Sequence, residues 1–350
     1  MGIRKNHNPD KPIRKRLSQE EADIINGIRG LCEEQNISVS DVKHGWSKTE
    51  NASLFFKNPG YKTEDVRHFE KLARDLVNQL SEFSPVFEKI KREKTKRGHL
   101  LVVDPADIHI GKLASAVETG EEYNSQIAVQ RVLDGVDGIL QKTEGWNIDQ
   151  IVFVAGNDIL HVDNARRTTT SGTPQDTDGM WHENFQVAKQ LYLDVLAKLL
   201  PVADVHFMFN PSNHDYVTGY LLAQVIYEHF RHHPNMTFDV TVSHRKAYHY
   251  GDNLIGTTHG DGAKTADLPL LLATEFPNYW AKSKHRYVFI HHFHHKTSKD
   301  FIGVTVESLR SPSGADSWHH RNGYQHAPKC VEGFVFCKTH GQIARITHVF

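Results

Sequence analysis

Five short stretches carry side chains that can hold metal ions: Asp107-Ile108-His109, Asp158-Ile159-Leu160-His161, Asn213-His214-Asp215, His259-Gly260 and His292-Phe293-His294. Each follows an apolar run rich in β-branched residues that reads as a buried strand. Carboxylates mixed with neutral imidazoles suit Mn²⁺, Fe²⁺ or Zn²⁺, whereas an all-oxygen set would suit Mg²⁺ or Ca²⁺. Asp107 and His109 sit two positions apart, so a loop leaving a strand can close both on one ion. Asp158 is the candidate bridge, because one carboxylate can ligate two ions roughly 3.5–4 Å apart. Asn213 is an uncommon ligand whose side-chain oxygen suits a site already rich in negative charge. His259, His292 and His294 would complete two nearly equivalent shells. The tract from His291 to His295 holds four histidines, a costly group to bury unless ligated or hydrogen-bonded.

Positioning these residues takes alternating strands and helices. From His99 onward, strands are expected at Leu100–Val103, Ile151–Val154, Val205–Phe209, Phe238–Val242, Leu254–Thr258, Tyr287–Ile290, Ile302–Val306, Phe334–Cys337 and Ala344–Val349. Helices are expected at about 124–142, 179–199 and 218–231. Loops at strand C-termini are where open α/β sheets gather their chemistry. The pattern predicts an α/β fold with a two-sheet core flanked by helices.

Before His99 the character differs. Residues 1–16 form a polar, basic arm. Capping boxes at Ser18/Glu21 and Ser47/Glu50, and a cap at Thr63, predict helices at about 18–34, at 48–57 and from 64. Residues 17–85 thus read as a small all-helical, helix-turn-helix-like unit with Lys48, Asn51 and Lys57 on or near its exposed face. A basic run from Lys89 to Arg97 follows, giving expected domains of 1–97 and 98–350. Basic runs on both sides of the helical unit suit phosphate contacts, and a helical docking or dimerisation unit fits equally well.

Composition sets the outer bounds. The chain has 350 residues, a net charge of −1, 25 histidines and three cysteines. The cysteines are odd in number and lack CxxC spacing, which argues against a disulfide scaffold or thiolate zinc site and favours a reducing compartment. The basic N-terminus lacks an apolar signal core, and no apolar run approaches the ~20 residues needed to cross a bilayer. A cytoplasmic protein without a membrane partner is expected.

The ordered set resembles the calcineurin-like metallophosphoesterase superfamily over roughly residues 99–300. The resemblance implies a two-sheet sandwich with helices outside, and two ions, with Mn²⁺ favoured and Fe²⁺, Zn²⁺ or Mg²⁺ as alternatives. One ion would take Asp107, His109, Asp158 and His294; the other, Asp158, Asn213, His259 and His292. His214 matches the superfamily's catalytic histidine. A hydroxide shared by the ions would attack phosphorus in line. The chain departs from the pattern at Ser212 and His291, where the superfamily has glycine, and at Asn157, which separates Gly156 from Asp158.

His161 sets the branch, because Asp158-Ile159-Leu160-His161 is similar to the motif of the DNA-repair exonucleases, the nuclease subunit of the double-strand-break complex. His161 is accordingly a second catalytic candidate. The Arg166-Arg167 pair would hold a neighbouring phosphate. In the stretch from Ser308 to Arg321, Arg310 or Arg321 would contact phosphate and Trp318 would stack on a base. The expected activity is a two-metal DNA exo- or endonuclease. The alternative is a phosphoprotein phosphatase or small-molecule (cyclic-nucleotide) phosphodiesterase using the same site. The combination also resembles phage-encoded chains, and homodimerisation and an ATPase partner are open expectations.

Overall fold

The structure is a computed structural model that describes residues 26–30, 32–33, 36–48, 53–59, 61, 71, 85–92 and 97–350. The chain divides into two compact units, residues 1–84 and residues 85–350.

In the first unit, residues 26–30 and 32–33 are helical, within the helix expected at 18–34. Of the helix expected at 48–57, the described residues, Lys48 and 53–57, are strand instead. Strands β1 (His44–Lys48) and β2 (Ser53–Lys57) pair antiparallel, with Trp46 directly opposite Phe55 and their rings 5.1 Å apart. Facing aromatic residues stabilise a strand pair by up to ~1 kcal/mol, and here that pairing prevails over the Ser47 cap signal. The described part of this unit is therefore mixed rather than all-helical. Asn51, Thr63 and most of the third expected helix lie outside the described residues.

The second unit begins with residues 85–92, which are tied to its body. Asn235 bonds Ile90 through both backbone N (2.8 Å) and O (3.0 Å), and Arg92 pairs with Asp204 at 2.5 Å. Strands β3 (His99–Asp104), β4 (Ile148–Gly156), β5 (Asp204–Asn210) and β6 (Met236–Asp239) run parallel. Two antiparallel strands, β12 (Cys330–Cys337) and β13 (Gly341–Val349), extend this sheet in the order β13-β12-β3-β4-β5-β6. A second sheet has the order β10-β11-β9-β8-β7, formed by β7 (Arg245–Tyr250), β8 (Asn253–Thr258), β9 (His285–Ile290), β10 (Thr297–Phe301) and β11 (Val304–Ser308). Strands β7 and β10 were not expected from the sequence.

Burial on both faces explains the continuous apolar runs. Side chains alternate across a strand, so Leu100 and Val102 of β3 point between the sheets with Val152, Val154, Ile255 and Phe289. Leu101 and Val103 point the other way, toward three helices: α2 (Ser125–Lys142), α3 (Trp181–Leu199) and α4 (Tyr216–Phe230). A short helix, α1 (Ala116–Thr119), precedes α2, and Asn124 caps α2 by accepting from Ile127 N at 2.9 Å. The outer face of the second sheet packs Leu254, Val288 and Val306 against Leu268 and Leu272 of α5 (Leu268–Glu275) and Trp280 of α6 (Pro277–Lys282). The result is the expected two-sheet sandwich flanked by helices. No helix among the described residues is long and apolar enough to cross a membrane.

Candidate metal centre

The loops after β3, β4, β5, β8 and β9 meet at one end of the sandwich, and backbone hydrogen bonds stitch them together. Asp107 N donates to Asn157 O (2.8 Å), His109 N to Asp158 O (2.9 Å), and Asn157 N to Asn210 O (3.1 Å). On the other sheet, His291 N donates to His259 O at 2.8 Å. Ile108, Ile110 and Ile159 are fully buried in the core, anchoring the loops while the intervening polar residues gather above. Gly156 turns β4 into its loop at φ +82°, where a Cβ would meet Asn210 O at 2.1 Å, so only glycine fits.

Five candidate ligands themselves adopt left-handed backbone: Asp107, His109, Asp158, His292 and His294, with φ between 53° and 70°. Such strain in residues other than glycine clusters at functional sites and costs on the order of 1–3 kcal/mol each. Ser212 and His291 do not have positive φ, so neither position requires the glycine of the superfamily pattern; Asn157, at φ 50°, carries that conformation instead. Both replacements find partners. Ser212 Oγ accepts from Asp158 N (2.7 Å) and donates to Asp215 Oδ1 (2.6 Å). The His291 ring reaches Asp104 at 3.0 Å, a pair with no solvent exposure.

The side chains form two principal donor groups, Asp107 with His109 and His294, and Asp158 with His259 and His292; in each, the ligand atoms lie within 4.8 Å of one another. His109 Nε2 and His294 Nε2 are 3.3 Å apart, and His294 Nε2 is 3.6 Å from Asp107 Oδ1. His259 Nε2 lies 3.1 Å from Asp158 Oδ2 and 2.8 Å from Asn213 Oδ1. Asp158 Oδ2 is also 3.9 Å from His109 Nε2, so this carboxylate lies between the groups.

Electrostatics acts on these groups in opposite directions. Burial lowers the pKa of His109, His161, His292 and His294, holding the imidazoles neutral, the form that binds metal. Burial opposes ionisation of Asp158, but His259 and His214 outweigh it and hold the carboxyl well below the ordinary range. His259 is the counterpart: burial lowers its pKa, yet Asp158 and Asp107 carry it to about 9. Burial, then Asp158, raises Asp215 to about 7. The fit to divalent ions rests on the donor set itself: buried carboxylates, imidazoles and an amide oxygen converging on two points, with His259 giving up its proton when an ion binds. His259 Nδ1 is buried without a hydrogen-bond partner.

A third group adjoins the first, with ligand atoms of His109, His161 and His214 within 4.8 Å of one another. His214 N donates to Asp158 Oδ1 at 3.0 Å, and its Nδ1 lies 2.9 Å from the His161 carbonyl oxygen. His161 Nδ1 meets His109 Nδ1 at 3.3 Å, and its ring stacks on that of His214. The hydrogen bond that orients His214 thus comes from the backbone of residue 161, while the His161 side chain touches both His109 and the His214 ring.

The arginines are less engaged. Arg166 and Arg167 are exposed, with Arg167 Nη2 3.4 Å from Met180 Sδ and Arg166 N accepted by Asn164 Oδ1 at 2.9 Å. Arg310, expected on phosphate, is committed to buried Glu332 at 3.2 Å. Sequence reasoning did not find the Asp104–His291 pair, the bonds of Asp215 to Ser212 and Leu160, or the contact between fully buried Lys112 and Asp316 at 3.0 Å. The only signal for the first was a carboxylate ending an apolar strand.

No protein-family model matches the chain, and no curated protein matches its sequence. Solved structures do match. Zinc-complexed Vps29 from Entamoeba histolytica is 11% identical, covering 71% of this chain and 98% of that one, with a TM-score of 0.31. A predicted phosphoesterase from Streptococcus pneumoniae TIGR4 is 10% identical over 73% of this chain and 100% of that one, TM-score 0.27. A putative 5'-nucleotidase from Staphylococcus aureus is 8% identical over 72% and 54%, TM-score 0.35. At these scores the likeness carries no weight in the assignment below, which rests on the geometry of the site.

Proposed function

We propose that this chain is a two-metal phosphodiesterase of the calcineurin-like metallophosphoesterase type, acting on DNA. The observation that carries the reading is the pair of donor groups with Asp158 between them and His214 alongside. Asp107, His109 and His294 would hold one ion, Asn213, His259 and His292 the other, and Asp158 both. Two divalent ions supply an activated water and offset charge on the phosphoryl oxygens when bound. His214, held through Nδ1 by the residue 161 carbonyl, has Nε2 free to give a proton to, or bond, the leaving oxygen. His161 holds His109 from its far nitrogen, as outer partners of metal-bound imidazoles do. The nuclease branch draws support from the resemblance of the Asp158–His161 motif, and Arg166 and Arg167 are assigned to flanking phosphates on their exposure.

Metal-stripped protein resupplied with Mn²⁺ tests this on single- and double-stranded DNA, bis-p-nitrophenyl phosphate and p-nitrophenyl phosphate, with Asp158→Ala as blank. Mn²⁺-dependent DNA cleavage absent from the blank is the expected result. Hydrolysis of a small ester with DNA left intact would keep the metal site and move the substrate to the phosphatase or small-phosphodiester class. No hydrolysis of any substrate would overturn the reading.

A further inference from the structure

A run of touching rings leads out of the metal centre. The His109 and His294 rings lie 5.2 Å apart; His294 stacks on His319 at 5.1 Å and 18°; His319 meets Trp318 edge-on at 5.2 Å; and Trp318 meets Tyr324 at 5.7 Å. The inner members are mostly buried, while Trp318 is 61% exposed and Tyr324 60%. Trp318 and His319 belong to a short helix, α7 (Ser317–Arg321). Single exposed aromatic residues are ordinary. Two in mutual contact, at the end of a ring series that starts at a candidate metal ligand, form a surface continuous with the site.

The platform is fixed rather than loose. Asp316 Oδ1 accepts from His319 N at 2.9 Å and lies 2.7 Å from His319 Nδ1. Its Oδ2 is 3.0 Å from Lys112 Nζ, a side chain with no exposure. Lys112 N donates to His109 O at 3.0 Å, and Tyr324 N to His319 O at 2.9 Å. The loop that carries His109 therefore also holds α7, which sets the rings at a constant place relative to the metal-binding loop.

We infer that Trp318 and Tyr324 form a stacking platform for the nucleobases of a single DNA strand whose scissile phosphate lies at the metal centre. The inference rests on the phosphodiesterase reading and deepens it. A metal pair selects a phosphate, and an adjacent open π-surface selects a flat ring. A nucleotide unit joins the two in one ligand, and stacking serves any base. His319 is a positioning residue here, seated between platform and ligand.

The test uses the full chain without added metal, titrated into a single-stranded oligonucleotide carrying 2-aminopurine, whose fluorescence falls on stacking. Wild type should quench the probe, and Trp318→Ala should bind it roughly 5- to 150-fold more weakly, the range expected for one lost stack. Trp318→Phe should retain most of the affinity, and Mn²⁺ uptake should be the same in all three proteins. A matched abasic oligonucleotide should not distinguish wild type from Trp318→Ala. If wild type binds and cleaves DNA but Trp318→Ala binds the probe equally well, the platform is wrong and the nuclease reading stands. If wild type neither binds nor cleaves DNA yet hydrolyses a phosphopeptide with Mn²⁺, the nuclease reading fails and the platform with it.

Discussion

Residues in this site divide by what they touch. Asp158 lies between the donor groups; its Oδ1 also accepts from the backbone N–H of His214, and its own N–H donates to the Ser212 hydroxyl. Asp158→Ala should abolish Mn²⁺ binding at both positions in calorimetry and all hydrolysis with it. His214→Ala should bind Mn²⁺ at wild-type stoichiometry while kcat falls about 10²- to 10⁴-fold; unchanged turnover would remove its assigned role. His161 poses a different question, because His214 bonds the carbonyl of residue 161 rather than its ring. His161→Ala should keep the His214 bond to that carbonyl, although it removes the ring stacked on His214, and should weaken Mn²⁺ binding about 10- to 100-fold through loss of the contact to His109. Titration with Mn²⁺ separates the two outcomes. Of these relations, the residue types and order were legible in the sequence. Which atom of residue 161 met which histidine was not, since that depends on loop conformation.

At the scale of elements, the pin between α7 and the loop after β3 is the most exposed to test. Asp316 is the partner of Lys112, whose charge is fully buried. Asp316→Asn leaves a cap but strands that charge, and should cost about 3–5 kcal/mol. Burial works against ionisation of Asp316, yet His319 and Lys112 bring its pKa below the ordinary value. A depressed carboxyl stabilises the fold fully above its unfolded pKa of about 3.9, and that contribution is lost as pH falls through the folded value. The stability gap between wild type and Asp316→Asn should therefore be full at pH 7 and narrow below about pH 4, as read by urea denaturation. A gap independent of pH would show that the pairing is not its source. Elements also mark where sequence reading ran short. Strand β10 is almost wholly exposed and has no apolar run; its pairing with β11 alone makes it a strand. Ser47 and Glu50 gave a helix cap signal, and cross-strand aromatic contact made Lys48 and residues 53–57 strand.

For the whole molecule, metal binding and folding should be coupled, because the ligands come from both sheets and meet only when the sandwich forms. Mn²⁺ at a hundredfold excess over Kd should stabilise the protein by about 2.7 kcal/mol. The rise in Tm should vanish with chelator and be absent in Asp158→Ala. Among the described residues the apolar clusters lie within residues 85–350, so a chain lacking residues 1–84 should fold and keep its hydrolysis of small esters. Unchanged DNA affinity in that chain would exclude a nucleic-acid role for the first unit. The sequence by itself determined the candidate ligands, their order and the strands that carry them, because residue type and short-range periodicity are local properties. Only the tertiary structure decided that Asp158 stands between the donor groups, that Ser212 and His291 replace glycine by finding partners of their own, and that Trp318 joins the site through His319. Those are contacts between residues tens to nearly two hundred positions apart, and their geometry exists only once both sheets have packed.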